Sequence, residues 1–270
     1  MYHKISCIQM TSGNNVADNL KQAEKWINAA VAQGAECVVL PEMFALMGVE
    51  PAVMLQHKEI MGSGVIQDFL AKMAAKNHLW IVGGTLPIAS SDENKVYAAC
   101  LVFDNYGDCV ARYDKMHLFD VKIALSGETY SESNQIIPGD RITVVNTPFG
   151  KLGIAVCYDL RFPEMFRRMH AEAVEIIVVP SAFTYATGLA HWEILLRARA
   201  IENLCYVAAA GQTGVHANQR KTYGHSMIIA PWGNVLAVLP EEQGIVTAEI
   251  DLAAQRKIRE EFPVILHKKL

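Results

Sequence analysis

The chain has 270 residues, 51% of them hydrophobic, and a formal net charge of −4 from 24 Lys and Arg against 28 Asp and Glu. This size suits a globular protein with one substantial core, and the interspersed charges exclude both a phosphate-neutralising stripe and a polybasic membrane patch. Small molecules are the expected partners, with no nucleic acid and no membrane. The only basic cluster, the C-terminal "HKKL", is too short to alter that.

The opening "MYHKISCIQM" starts directly in strand-like alternation, without the charged and apolar segments of an export signal. No apolar run approaches the ~18 residues of a spanning helix. Cys7, Cys37, Cys100, Cys109, Cys157 and Cys205 form no C-x-x-C pair and lie mostly in apolar runs. Reduced thiols in a cytoplasmic protein fit this usage better than zinc or a disulfide framework.

"NLKQAEKWINAAVAQGA" places Leu20, Ala23, Ile27, Ala30 and Val31 at helical spacing and stops at Gly34. "ECVVLPE" then reads as a buried strand ending at Glu42. "GSG", Gly62 to Gly64, reads as a turn before a helix over "VIQDFLAKMAAKNH". "LWIVGGT" and "YAACLVF" are strand-like, and "DNYG" turns the second into a strand around Val110 to Tyr113 that ends near Lys115. A long polar loop follows from about Asp120 to Arg141, of a length often tied to function.

The second half repeats the alternation: "LGIAVC", "EIIVVP", "CYVAAAG", "HSMIIA" and "GIVTAEI" are strands, and "AHWEILLRARAIENL" is a helix with Glu193 four residues before Arg197. "PWGN" supplies another turn. Alternating strands and helices with occasional hairpins predict an α/β fold with mixed sheets. Without a linker-like stretch, residues 1–270 read as a single domain.

Three strand ends carry reactive groups: Glu42 in "CVVLPEMF", Lys115 in "RYDKMHLFD" and Cys157 in "GIAVCYDLRFPE". Ligands of open α/β folds gather at such ends. A thiol, a proton acceptor and a cation together meet the needs of thiol-based acyl transfer. The ammonium is expected to favour the thiolate, and a partly desolvated carboxylate to have a raised pKa. A rival arrangement takes His117, His191 or His225 as the base for the cysteine. No glycine-rich phosphate loop and no metal-ligand spacing is present, so neither cofactor nor metal is expected.

The three segments resemble, in order, flanks and separation, the signature of the nitrilase, or carbon–nitrogen hydrolase, superfamily, and the likeness runs from the first strand to "FPVILHKK". The resemblance implies a four-layer α-β-β-α sandwich with two mixed β-sheets, and association at least as dimers. It assigns catalysis to Glu42, Lys115 and Cys157, with Glu132 in "TYSESNQIIPGD" as a supporting second glutamate. Glu42 would take the thiol proton as Cys157 attacks an amide carbonyl. Lys115 and the backbone N–H of Tyr158 would hold the oxyanion, and Glu42 would protonate departing ammonia to leave a thioester.

The C-terminal half, with "RARAIENLCYVAAAGQTG" and "KTYGHSMII", resembles the branch that includes amidases of deaminated glutathione, and less closely the ω-amidases of α-ketoglutaramate. It implies an α-keto-acid amide as substrate, in metabolite repair. Where that branch usually has "TGPAHWE", this chain has Leu189 in "TGLAHWE". Arg161 is the first candidate to bind an anionic keto acid, with Thr184 and His191 behind it. An internal pair of Arg161 with Asp159 or Glu164 competes with that role, and a catalytically silent binding scaffold is the alternative from another class.

Overall fold

The computed structural model describes residues 2–124 and 127–269. Met1, Leu125, Ser126 and Leu270, which belong to the expected domain, its two terminal segments and the long polar loop, lie outside the described residues.

The first half runs β1 (Tyr2–Gln9), α1 (Val16–Ala32), β2 (Cys37–Val39), α2 (Pro51–Gln56), α3 (Val65–Asn77), β3 (Trp80–Val82), β4 (Leu86–Ala89), β5 (Val96–Phe103) and β6 (Cys109–Asp114). The short ribbon of β7 (Asp120–Lys122) and β8 (Thr129–Ser131) follows. Then come β9 (Thr143–Thr147), β10 (Gly150–Ile154), α4 (Pro163–Ala171), β11 (Ile176–Ser181), α5 (Tyr185–Asn203) and β12 (Tyr206–Gly211). The hairpin of β13 (Thr213–Val215) and β14 (Lys221–Tyr223) precedes β15 (Ser226–Ile229), β16 (Val235–Leu239), β17 (Gly244–Asp251) and α6 (Leu252–Glu261).

Two larger sheets form. One has the order β17-β1-β2-β3-β5-β4, with β6 also on β5, and the other β16-β15-β12-β11-β10-β9. Parallel pairs lie at the centre of each, and antiparallel pairs flank them. Both sheets are therefore mixed, as the alternation of helices with hairpins requires.

The two-residue period of a strand assigns its side chains to layers. Cys37 and Val39 of β2, and Cys100 and Val102 of β5, join the core between the sheets. Val38, Leu101 and Phe103 face the other way, into a second core with Leu20, Ala23 and Ile27 of α1 and Leu70 and Met73 of α3. Met169 of α4 and Trp192 and Leu196 of α5 cover the second sheet. The layers are thus helices, sheet, sheet, helices, the four-layer α-β-β-α sandwich.

The "DNYG" and "PWGN" turns form where expected, with Gly107 N–H donating to Asp104 O at 3.0 Å and Gly233 N–H to Ala230 O at 2.8 Å. The long polar loop contains the β7–β8 ribbon and a 3₁₀ turn over Glu132–Asn134. Helices α2 and α4, both with Pro at the N-terminus, are too short for apolar periodicity to announce them.

One glycine fixes the approach of the Glu42 segment. Gly84, just past β3, has φ +58°, and a Cβ there would lie 2.1 Å from the Pro41 carbonyl oxygen. Backbone cannot yield as a flexible side chain can, and the left-handed conformation adds strain for any side chain. Gly84→Ala is expected to lower unfolding free energy by roughly 3 kcal/mol, read as a reduced urea midpoint at unchanged slope.

Candidate active site

Glu42, Lys115, Glu132 and Cys157 converge on one cavity of about 250 Å³. Glu42 stands three residues past β2, Lys115 directly follows β6, and Cys157 follows β10, so both sheets deliver groups from strand ends. Glu132 comes from the 3₁₀ turn of the long loop. The side chains of Glu42 and Lys115 are 5% and 2% exposed.

Lys115 Nζ donates to Glu42 Oε1 at 2.8 Å and to both carboxylate oxygens of Glu132 at 2.9 Å. Glu42 Oε2 accepts from the Ala182 N–H at 2.8 Å, and Glu132 Oε2 accepts from the Phe119 N–H at 2.6 Å. Gln212 holds the Glu42 segment from behind, its Nε2 donating to the Glu42 carbonyl at 3.0 Å and to Ser12 Oγ at 2.7 Å. These bonds fix the rotamers of both carboxylates.

Cys157 opens a 3₁₀ turn, Cys157–Arg161, with φ +48°. A non-glycine residue in this left-handed region costs about 1–2 kcal/mol, retained here by surrounding bonds. Asp159 supplies them: its fully buried carboxylate accepts from the Val156 N–H at 2.8 Å, the Tyr113 hydroxyl at 2.6 Å and the His117 N–H at 3.0 Å. The His117 ring also meets Asp159 Oδ1 through Nδ1 at 2.7 Å and stacks on Phe162 at 3.7 Å. Asp159 therefore ties the cysteine turn to the segment that carries Lys115.

The electrostatics differ from the expectation drawn from the sequence. Burial pushes the Cys157 thiol up, the neighbouring Glu42 carboxylate pushes it further, and the Lys115 ammonium only partly offsets them. The resting group is a thiol, as the expected transfer of its proton to Glu42 requires, and the pull of Lys115 toward the thiolate is outweighed. Burial also raises Glu42, but the Lys115 charge and hydrogen bond, the thiol and the Arg220 charge outweigh it and hold the carboxyl below its ordinary range. Lys115 is depressed by burial yet raised overall by Glu132 and Glu42. The arrangement sets an ionised carboxylate beside a protonated thiol.

The remaining sequence candidates divide. Arg161 lines the cavity, with its guanidinium 5.3 Å from the Phe183 ring and 5.8 Å from that of Tyr158. Its Nη1 meets His191 Nδ1 at 3.1 Å, and among the described residues it forms no ion pair, so the expected competition from Asp159 and Glu164 is absent. Thr184 also lines the cavity, its hydroxyl 2.8 Å from that of Thr187. His191 does not: it sits exposed on α5 and reaches the site only through Arg161. Leu189 is likewise exposed, 67%, and off the cavity wall.

The histidine-base alternative fails on position. His117 is engaged by Asp159, His225 meets the Tyr223 carbonyl at 2.9 Å and stacks on that ring, and neither lines the cavity. The Tyr158 N–H has no acceptor among the described residues and remains available at the site. No group of three or more His, Cys, Asp or Glu side chains among the described residues is arranged to hold a metal ion.

Arg220 is the charged cavity residue that sequence reasoning did not single out. Arg220, in the β13–β14 turn, donates through Nη2 to the Ala182 carbonyl and lies 5.1 Å from the Tyr130 ring. Its signal in the sequence, "NQRKTYGH", is an ordinary polar turn.

Residues 4–260 match the family described as carbon-nitrogen hydrolase. A Yersinia enterocolitica protein named deaminated glutathione amidase is 41% identical over 266 residues, 98% of this chain and 92% of that one. The solved Caenorhabditis elegans NitFhit protein superposes with a TM-score of 0.91 at 37% identity; the match covers 99% of this chain and 65% of that chain. Saccharomyces cerevisiae Nit3, described as a member of branch 10 of the nitrilase superfamily, gives a TM-score of 0.88 at 28% identity, over 97% of this chain and 95% of its own. With the family matched along almost its whole length and the sandwich shared, the chain belongs to the carbon–nitrogen hydrolase family and is an amidase of the nitrilase superfamily.

Proposed function

We propose that this amidase hydrolyses deaminated glutathione, releasing α-ketoglutarate and cysteinylglycine. The observation that carries the reading is a buried Glu42–Lys115–Cys157 cluster opening into a cavity that also holds two guanidinium groups, Arg161 and Arg220. The substrate has a carboxylate on each side of its scissile amide, and guanidinium groups suit carboxylates. The name carried by the relative at 41% identity supports the same substrate.

In this reading Glu42, Lys115 and Cys157 are catalytic and Glu132 supports them. As the Cys157 sulfur attacks the amide carbon, its proton passes to Glu42, the hydrogen-bonded and ionised neighbour. The carbonyl oxygen becomes an oxyanion facing the Lys115 ammonium and the Tyr158 N–H. Collapse breaks the C–N bond, and Glu42 returns the proton to the departing nitrogen. That nitrogen is the amino group of cysteinylglycine for this substrate, and ammonia only for a primary amide. The acyl group stays on sulfur as a thioester. Glu42 next takes a proton from water, the hydroxide adds, and breaking the C–S bond gives the acid and restores the thiol.

Glu132 keeps Lys115 charged and directed. A lone ammonium this deeply buried would lose its proton, whereas two carboxylates retain it. Arg161 and Thr184 bind the keto-acid part, and His191 contributes by holding Arg161. Residues 1–270 act as one domain. The reading includes a cytoplasmic enzyme that works as a homodimer or larger assembly, for which Ile194 and Ile201 on the outer face of α5, with Trp232 and Phe262, offer exposed apolar surface.

α-Ketoglutarate release from deaminated glutathione and from α-ketoglutaramate, measured side by side with Cys157→Ala as blank, tests the substrate. A clear preference for deaminated glutathione is expected, and the reverse preference would make the protein an ω-amidase. Lys115→Ala should lose roughly a hundredfold or more in kcat, because an oxyanion donor is worth about 3 kcal/mol, while Cys157→Ala should still bind substrate by calorimetry. The pH profile tests the base. Because Glu42 is held below the ordinary carboxylate range, the carboxylate that accepts the proton persists as pH falls through that range. The acid limb of kcat/KM should lie below it, and a midpoint near neutrality would point to a histidine instead.

A further inference from the structure

We infer that Arg220 binds the carboxylate of the leaving half of the substrate, so that it selects amides whose departing amine carries an anionic tail over primary amides. This rests on the amidase reading above and adds to it which half of the substrate each guanidinium holds.

Ala182 provides the geometric link. Glu42 takes its N–H at 2.8 Å, and Arg220 donates to its carbonyl, so the two side chains clasp one residue from its two polar ends. Arg161 comes from the cysteine segment: it shares the 3₁₀ turn with Cys157, and its guanidinium lies near the rings of Tyr158 and Phe183. During turnover the acyl half stays on the Cys157 sulfur, while the leaving nitrogen must be within reach of Glu42 to receive its proton. The Cys157 flank therefore holds the keto acid and the Glu42 flank holds the departing amine.

Arg220 is equipped for an anion there. Among the described residues it forms no direct ion pair, although its charge is felt by Glu42, and its Nε is buried without a hydrogen-bond acceptor. A buried donor of this kind costs free energy unless a ligand satisfies it. The turn that carries Arg220 is also fixed in advance. His216 N–H donates to the Arg220 carbonyl at 2.9 Å, and the His216 ring bridges Ser12 O and Thr222 Oγ1 at 2.9 and 2.7 Å. The guanidinium further lies on the Tyr130 ring, beside Glu42 in the cavity lining. A guanidinium held by the Ala182 carbonyl and the Tyr130 ring, with its other N–H donors without an acceptor among the described residues, meets a carboxylate with little reorganisation.

The test compares three substrates: deaminated glutathione, its analogue with the glycine carboxylate replaced by a neutral N-methylamide, and α-ketoglutaramate. For the unmodified enzyme, neutralising the tail should lower kcat/KM by about ten- to a hundredfold, the range of a charge-assisted hydrogen bond. Arg220→Leu should treat the two tailed substrates alike, and its loss on deaminated glutathione should exceed its loss on α-ketoglutaramate by about the same factor. Arg161→Leu should instead lower all three together. Equal losses of Arg220→Leu on deaminated glutathione and α-ketoglutaramate would overturn the assignment and leave Arg220 a structural brace of Ala182. Should that variant fail to fold, the unmodified enzyme decides: indifference to the N-methylamide overturns the proposal, and discrimination upholds it. Absence of turnover of deaminated glutathione by the unmodified enzyme would overturn the underlying reading as well, an outcome distinct from either.

Discussion

A single buried ammonium organises the site. Lys115, with its side chain 2% exposed, would be intolerable alone in a low-dielectric interior, and it is held there by Glu42 on one side and Glu132 on the other. Both carboxylates depend on it in turn, since removal of the cation would leave two anions to repel each other through the same space. Each of the three lies on a different segment: after β2, after β6 and in the 3₁₀ turn of the long loop. Their mutual need for charge balance is therefore also a reason for those segments to meet.

The cysteine is placed by a different device. Asp159 has no reacting atom to touch, but its carboxylate receives donors from Val156, Tyr113 and His117 and so joins the β10 end to the β6 end. The left-handed backbone of Cys157 survives because those bonds over-determine the turn around it. A sharp turn at a strand end lifts the sulfur out of the sheet and presents it to the cavity. The residue still packs with Ile154 and Val156 in the core between the sheets while it lines the cavity.

Much of this organisation was legible in the residues. The strands before Glu42 and Cys157 are short apolar runs with clear stops, because burial on both faces demands continuous hydrophobicity, whereas β6 before Lys115 is half-exposed and polar and was marked by the turn that precedes it. The outer helices α1, α3 and α5 showed themselves by length and spacing. Arg220 and the uses of Asp159 were not visible, since a polar turn and an acidic residue after a tyrosine look like many solvated segments until tertiary folding brings them inward. The charge of Glu42 was misread for the same reason: a sequence suggests a desolvated carboxylate, but only the folded site shows the Lys115 contact that outweighs burial and keeps it ionised, while burial and Glu42 keep the proton on the sulfur. His191 shows the converse case, a residue in a suggestive motif that sits exposed on α5 and meets the cavity only through Arg161.

The contacts that complete the site span great stretches of chain: Glu42 reaches Lys115 across 73 positions, Ala182 across 140 and Gln212 across 170. Such separations make folding slow, because chain entropy is lost before the contacts that reward it exist. They also order events during synthesis. A nascent chain that has emerged as far as Cys157 already carries Glu42 and Lys115, yet lacks Ala182, which steadies the base, and Gln212, which braces it from behind. The Cys157 thiol is thus present before the Glu42 segment is braced, and the cluster is complete only once the second sheet has formed against the first. The cavity is therefore assembled from segments as far apart as Glu42 and Arg220, and its walls are complete only when both are in place.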